Sequence, residues 1–286
     1  MRKRAGMKGQ IPFEVNRYRI GEGECRLRAV LVSDLHARKI PGLLPAIRQL
    51  DPDFILAAGD MLECFRADNL EARMTELEEE AESLFLRWVG RCAIGLDGLY
   101  HRLRGTPETE EDNEEGYVFL RNAAEIAPTF YGLGNHEKYM LPKEKRRVEG
   151  TGAILLEDGF TEVRVRGLRL RIGCLMHKKR MEWLPEFCAG PGFQEGGPLR
   201  LLLCHRPEVA VKLPRLPIDG IFCGHAHGGQ WRIGKQGIFS PGQGLFPRYT
   251  GGLHRSNILI SRGLSNTAHV SRWGNPTEII LAEICP

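Results

Sequence analysis

The chain has 286 residues, a hydrophobic share of 42%, and 40 Lys and Arg against 36 Asp and Glu, for a formal net charge of +4. That composition excludes a disordered or fibrous chain and suffices for a sizeable core. The near-balanced charge does not by itself call for nucleic acid or a membrane as partner.

In chain order, the N-terminus is basic (Arg2, Lys3, Arg4, Lys8), with no apolar signal core after it. "RLRAVLVSDLH" (26–36) reads as an apolar strand ending in polar residues, "LLPAIRQLD" as a short helix, and "DFILAAGD" (53–60) as a second strand. This β-α-β spacing suggests a parallel pair with ligands at its carboxyl ends. Residues 67–104 have helical periodicity and many charges, with the acidic 71–82 run read as a solvated helix face, and 106–116 are an acidic loop or helix start. A further helix runs to about Ile126, and "PTFYGLGN" (128–135) is a third strand. "TEVRVRGLRLRIGCL" alternates about an Arg-Gly turn, as a hairpin does. "RLLLCH" (200–205) and "DGIFCGH" (219–225) are buried strands that each end in histidine, and "SNILISRG" and "TEIILAEI" close the chain as strands.

No window approaches the eighteen or so apolar residues of a membrane span. The eight cysteines are scattered without a Cys-x-x-Cys pair, and Cys174, Cys204 and Cys223 sit in apolar runs as small hydrophobes. A reducing cytoplasm is therefore the expected compartment. No repeat or low-complexity linker appears, so residues 1–286 are expected to form one domain. The stretch between Asp60 and Asn135 is far longer than the dozen or so residues a parallel crossover needs. A helical insertion over 67–125 is expected, with a role in capping the site or, equally, in structure or oligomerisation.

The polar residues at the strand ends carry the chemistry. They are Asp34-x-His36, Gly59-Asp60, Gly134-Asn135-His136-Glu137, His205, and Gly224-His225-x-His227. Five strands each deliver a metal-competent side chain at the carboxyl end. In extended chain, residues i and i+2 point to one side, so Asp34 and His36 can share a metal and His225 and His227 can face one cluster. Glycines before Asp60, Asn135 and His225 let the backbone turn sharply. Taken singly, each residue has an ordinary reading: a structural histidine, a helix N-cap aspartate, a turn asparagine. Those readings do not account for all seven in this order. His101, His177, His254 and His269 lack such a context and read as structural or surface. "HKKR" (177–180) reads as a solvated basic turn or an anion-binding patch, and Arg206 and Arg248 are weaker candidates for phosphate contacts.

In this pattern the chain resembles the calcineurin-like metallophosphoesterases, whose Asp-x-His, Gly-Asp, Gly-Asn-His-Asp/Glu, His and Gly-His-x-His series is met in order over residues 30–230. The Gly-Gly-Gln after His227 and "SRGL…RWGNPTEIILAEI" resemble the bacterial phosphodiesterase branch typified by YkuE and YaeI. The resemblance implies an α/β (α+β) four-layer α-β-β-α sandwich, two mixed sheets face to face and flanked by helices. It implies that Asp34, His36, Asp60 and His227 hold one metal, that Asp60, Asn135, His205 and His225 hold the second with Asp60 bridging, and that His136 is the proton donor.

The chemistry agrees with that assignment. Two divalent ions about 4 Å apart can hold a bridging hydroxide and grip phosphoryl oxygens. Two carboxylates and a hydroxide leave one net positive charge, which favours an anionic ester, and the neutral ligands preserve it. The implied function is hydrolysis of a small-molecule or lipid-linked phosphate ester by a metal-dependent phosphodiesterase. The alternatives are a nuclease of the same fold, which would favour a basic channel, and a non-catalytic scaffold like the retromer subunit sharing this fold, which would not need His136. Mixed N/O ligands admit manganese, iron or zinc. The expected partner is the ester substrate, without nucleic acid or a transmembrane segment. Peripheral membrane contact is left open by the basic N-terminus, and the oligomeric state is not specified.

Overall fold

Two six-stranded mixed sheets organise the chain. The computed structural model describes residues 12–64, 113–177, 179–240, 242–265 and 271–286. The strands are β1 (Glu14–Ile20), β2 (Leu27–Val32), β3 (Phe54–Ala58), β4 (Thr129–Gly132), β5 (Ile154–Leu156), β6 (Gly159–Val165), β7 (Leu168–Cys174), β8 (Leu199–Leu203) and β9 (Gly220–Cys223). Four two-residue strands follow, β10 (Arg232–Ile233), β11 (Gln236–Gly237), β12 (Phe239–Ser240) and β13 (Gly244–Leu245). The last are β14 (Gly252–His254), β15 (Ile258–Ile260) and β16 (Glu278–Ile284). The longer helices are α1 (Leu43–Gln49), α2 (Glu114–Ile126) and α3 (Pro142–Glu149).

The first sheet runs β1-β16-β2-β3-β4-β5 and the second β14-β15-β9-β8-β7-β6. β2, β3, β4 and β5 are mutually parallel, and so are β7, β8, β9 and β15. Within each set the carboxyl ends therefore fall on one edge, where ligands of α/β proteins collect.

The central strands are apolar on both faces, the pattern of sheets covered on both sides. Val30, Val32, Ile55, Ala57 and Tyr131 pack with Leu43 and Ile47 of α1 and with Tyr117 and Leu120 of α2. Their alternating neighbours Ala29, Leu31, Phe54, Leu56 and Phe130 share a second cluster with Ile172, Leu201, Leu203 and Phe222 of the other sheet. Leu202, Ile221, Cys223 and Ile260 pack on that sheet's other side with Leu184, Phe187 and Ala210. The middle cluster thus draws on both sheets, and each of the other two on one sheet and the helices beside it. Phe54 and Phe130 meet edge-to-face at 6.2 Å in the middle cluster, and truncating such a ring to Ala costs about 3–5 kcal/mol.

The hairpin, the two histidine-ending strands and the closing strand form as the sequence indicates. Three features depart from it or add to it. β1 is an edge strand whose outward residues are largely exposed, so it lacks the apolar run that marks the others. The helix expected to run to about Ile126 forms as Glu114–Ile126 and buries Tyr117, Phe119, Leu120 and Ala123; most of the expected 67–125 insertion lies outside the described residues, which omit 65–112. Finally, Cys25, before β2, is disulfide-bonded to Cys285, after β16. β2 and β16 are antiparallel partners with Leu27 opposite Ile284, a register that sequence spacing alone does not reveal. The cytoplasmic expectation thus loses part of its cysteine argument, because disulfides persist in oxidising compartments. Cys64, Cys174, Cys188, Cys204 and Cys223 are in no disulfide. No helix of the described residues is long and apolar enough to cross a membrane.

Candidate metal centre

The loops that leave β2, β3, β4, β8 and β9 converge at the parallel edges. Asp34, His36, Asp60, His205, His225 and His227 are all buried there. Two glycines are required by this crowding. A Cβ on Gly59 would lie 2.4 Å from His205 Nδ1, and one on Gly134 would lie 2.2 Å from Asp60 Oδ1.

The buried donors and the half-buried His136 assemble into three groups, each with its ligand atoms within 4.8 Å of one another: Asp34, His36 and His227; Asp60, His205 and His225; and His36, Asp60 and His136. Asp60 and His36 link them into one centre. His205 Nε2 lies 2.9 Å from Asp60 Oδ2 and His227 Nε2 lies 3.5 Å from Asp34 Oδ1. Asp34 and His36 share a group as expected, but not through extended chain, since both have positive φ (55° and 51°). His225 and His227 separate into two groups, because positive φ at both (65° and 45°) turns the chain between them.

Two acidic residues that sequence reasoning passed over or left without a role hold the centre together. Glu63 bridges two imidazoles, with Oε1 2.5 Å from His36 Nδ1 and Oε2 2.6 Å from His136 Nδ1. The only signal for it was its place three residues after Asp60. Glu137 is buried, and its carboxylate accepts the backbone N–H groups of Asp60, Leu62 and Gly134 and the Tyr131 hydroxyl. It ties the Asp60 and Asn135 loops to each other. Farther along, Arg272 donates to His227 Nδ1 at 3.1 Å, and Asn275 Nδ2 donates to the His227 carbonyl.

Among the protein's own charges, burial opposes ionisation of Asp60, but His205 and His136 beside it hold the carboxyl well below its usual range. Burial likewise opposes charge on His136, and the carboxylates of Glu63 and then Asp60 reverse this, taking it up to about 10. His205, next to Asp60, rises to about 9 against its own burial. His227 falls to about 4, chiefly through burial, with His36 and Arg272 adding to it. Burial, then Arg206 and His205, push His225 well down. Among the protein's own charges, His136 and His205 thus favour the protonated form beside Asp60, while His225 and His227 are kept neutral, the form in which imidazole ligates a metal.

The remaining candidates lie apart or at the rim. Arg206 is close enough for its charge to act on His225. Arg248 is exposed, its guanidinium 5.7 Å from the Tyr249 ring. His177 is paired with Asp158 at 2.6 Å, and His254 bonds the Gly251 carbonyl. His101 and His269 lie outside the described residues.

Donor groups joined through one buried carboxylate, facing a protonated histidine, suit a metal-dependent hydrolase acting on an anion. A family model described as calcineurin-like phosphoesterase matches residues 27–229, which include every candidate ligand and His136. The chain belongs to that family of metal-dependent phosphoesterases. Phosphodiesterase YaeI of Escherichia coli (strain K12) is 29% identical over 158 residues, 51% of this chain and 55% of its own length. This agrees with the branch indicated by the sequence. The "Uncharacterized protein YpbG" of Bacillus subtilis (strain 168) is 35% identical over 88 residues, 30% of this chain and 32% of its own. The chain thus aligns with about a third to about half the length of these two relatives.

Proposed function

We propose that the protein is a phosphodiesterase with a dinuclear metal centre. Asp34, His36, Asp60 and His227 hold one divalent ion; Asp60, Asn135, His205 and His225 hold the second; Asp60 is shared. The observation that carries this reading is a set of buried donor atoms without hydrogen-bond partners: Asp34 Oδ2, His36 Nε2 and Asn135 Oδ1. An unsatisfied buried polar group costs about 1–3 kcal/mol. Three of them on the candidate ligands, each with a lone pair to offer, fit cations that would satisfy them all. The mixed oxygen and imidazole donors suit manganese, iron or zinc.

When bound, two such ions supply an activated water and the positive charge that holds phosphoryl oxygens. The chain's own residues do the rest. His225 and His227, kept neutral, and Asn135, an amide, ligate without cancelling that charge, so an anionic ester is favoured. His136 Nδ1–H donates a hydrogen bond to the Glu63 carboxylate, which fixes the ring and leaves Nε2–H as the transferable proton. That proton goes to the leaving oxygen, a step that contributes about 10²–10⁴ in rate. A diester, small or lipid-linked, is the substrate class favoured by the likeness to a phosphodiesterase.

The test is a metal-by-substrate profile of the purified protein with phosphomonoesters, phosphodiesters and nucleic acid side by side. Diester hydrolysis that requires added manganese, iron or zinc is expected, and Asp60→Asn should lose it together with both ions. Two tightly held ions in Asp60→Asn would defeat the shared-ligand assignment, and a preference for nucleic acid would make the protein a nuclease.

A further inference from the structure

We propose that the two hairpins after His227, together with Trp273, form a face that docks on an anionic lipid bilayer and presents the metal centre to phosphoesters in its headgroup layer. The substrate part of this rests on the phosphoesterase reading; the docking part does not.

Nine large hydrophobic residues are exposed among the described residues, and five of them lie between residues 231 and 273. Ile233 and Phe246 are each 67% exposed, Trp273 is 66% exposed and Leu245 is 57% exposed, with Trp231 the fifth. Single exposed apolar residues are ordinary, whereas a group of them marks an interaction surface. These five are joined by backbone. Trp231 and Trp273 form a β-bridge. The Ile238 N–H donates to the Trp231 carbonyl, and the Phe246 N–H donates to the Ile238 carbonyl. Ile233 ends β10, one turn from that junction. The face is therefore built on paired strands and not on a free loop. It also adjoins the centre: Trp231 is four residues past His227, and Trp273 follows Arg272, which donates to the His227 ring.

Charge identifies the occupant. Between Asp219 and Glu278 there is no Asp or Glu, while Arg232, Lys235, Arg248, Arg255, Arg262 and Arg272 fall in that span. Arg262 is paired with Glu14 and Glu278, and Arg232 and Arg272 are half-buried, which leaves Lys235, Arg248 and Arg255 as the exposed cations of the span that exposes these apolar side chains. Lys235 and Arg248 are exposed, each two residues from an exposed apolar side chain, Ile233 and Phe246. Tryptophan with aliphatic side chains and flanking cations is the composition that settles in the interface of anionic membranes. A single-stranded nucleic acid would use the aromatics to stack bases but gains little from Ile233 and Leu245 at the hairpins. A second copy of the chain would bring two faces of the same sign together.

The experiment is sedimentation of the full chain with phosphatidylcholine vesicles, with and without phosphatidylglycerol. We expect binding that requires phosphatidylglycerol and weakens as salt is raised. Leu245→Ser with Phe246→Ser, and separately Ile233→Ser, should each lower vesicle affinity by about tenfold or more, the effect of withholding such a side chain from an apolar phase. Melting temperature and hydrolysis of a water-soluble diester should not change. The docking is overturned if wild type ignores anionic vesicles or if the variants bind them equally well. It is also overturned if the substitutions instead abolish oligonucleotide binding, or convert a dimer to a monomer by light scattering. Vesicle binding by a wild type that hydrolyses no soluble ester with any metal would uphold the docking and defeat the phosphoesterase reading alone.

Discussion

Replacing Glu63 by glutamine tests how the centre holds its proton. The two carboxylate oxygens of Glu63 each accept one imidazole N–H, from His36 at 2.5 Å and from His136 at 2.6 Å. Glutamine keeps the shape but offers one acceptor, and its amide N–H₂ faces the other ring as donor against donor. One of the two charge-assisted bonds is lost, and each contributes about 1.5–3 kcal/mol. The charge is lost from both. Burial alone pushes the His136 pKa down, and Glu63 is the largest influence raising it to about 10. Without that carboxylate the pKa falls back towards its usual value, so His136 sheds its proton in the neutral range. The expected result for Glu63→Gln is a kcat loss of about 10²-fold or more on esters with alkoxide leaving groups, growing from pH 6 to pH 9. A nitrophenyl ester, whose leaving group needs little protonation, should lose far less. The assay is kcat against leaving-group pKa over that pH range, with metal content measured in the same samples and His136→Ala run in parallel. If Glu63 acts through His136, the double variant is no worse than His136→Ala alone. An equal loss across the ester series with metals intact, or strictly additive losses in the double variant, would refute the reasoning.

Glu137→Ala should lower stability by about 3–5 kcal/mol in urea unfolding, because three backbone N–H donors and the Tyr131 hydroxyl lose their acceptor inside the core; a change under about 1 kcal/mol would show that the loops are held otherwise. Asp158 has its pKa lowered: burial opposes ionisation, but the His177 ring and the His177 and Met176 N–H groups outweigh it. A depressed folded-state pKa contributes stability that is present above the unfolded carboxyl value and is lost as pH falls through the folded one. Asp158→Asn should therefore lower Tm by about 2–4 °C near pH 7 and converge with wild type in strong acid. A Tm difference that persists unchanged into strong acid would show that the carboxylate's charge is not responsible.

How far the sequence was legible depended on how local each signal was. β2, β3, β8 and β9 are continuous apolar runs that end in Asp, Gly-Asp or His, and both the strand and its terminal ligand can be read from a dozen residues. Glu63 could not be found that way. Its importance comes from two rings, His36 and His136, that reach it from other loops. The acid-free span was visible in the composition, yet it gained meaning only when exposure placed Ile233, Leu245, Phe246 and Trp273 on the surface. The Cys25–Cys285 disulfide joins positions 260 residues apart, and only the pairing of β2 with β16 brings them together. A helix ending near Ile126 is legible in the sequence, but the burial of Tyr117, Phe119, Leu120 and Ala123 on it depends on the sheet and helices it packs against.

The way the loops hold one another accounts for the asymmetry within each carboxylate. Asp34, His36, Asp60, His225 and His227 all have positive φ, between 45° and 65°, a conformation that costs non-glycine residues of order 1 kcal/mol or more each. Hydrogen bonds between loops offset part of it. The His225 N–H donates to Asp34 Oδ1 and the His136 N–H donates to Asp60 Oδ1, so each carboxylate gives one oxygen to the backbone of another loop. His205 does the same with one nitrogen, donating from Nδ1 to the Ala58 carbonyl. The atoms left over are Asp34 Oδ2, Asp60 Oδ2 and His205 Nε2. Asp60 Oδ2 stands 2.9 Å from His205 Nε2 and 3.9 Å from His136 Nε2, so it faces donors from two other loops. Each such side chain therefore has one atom committed to the fold and one that the proposed centre would use, so a substitution that preserves only the second atom still loosens the loop that aims it.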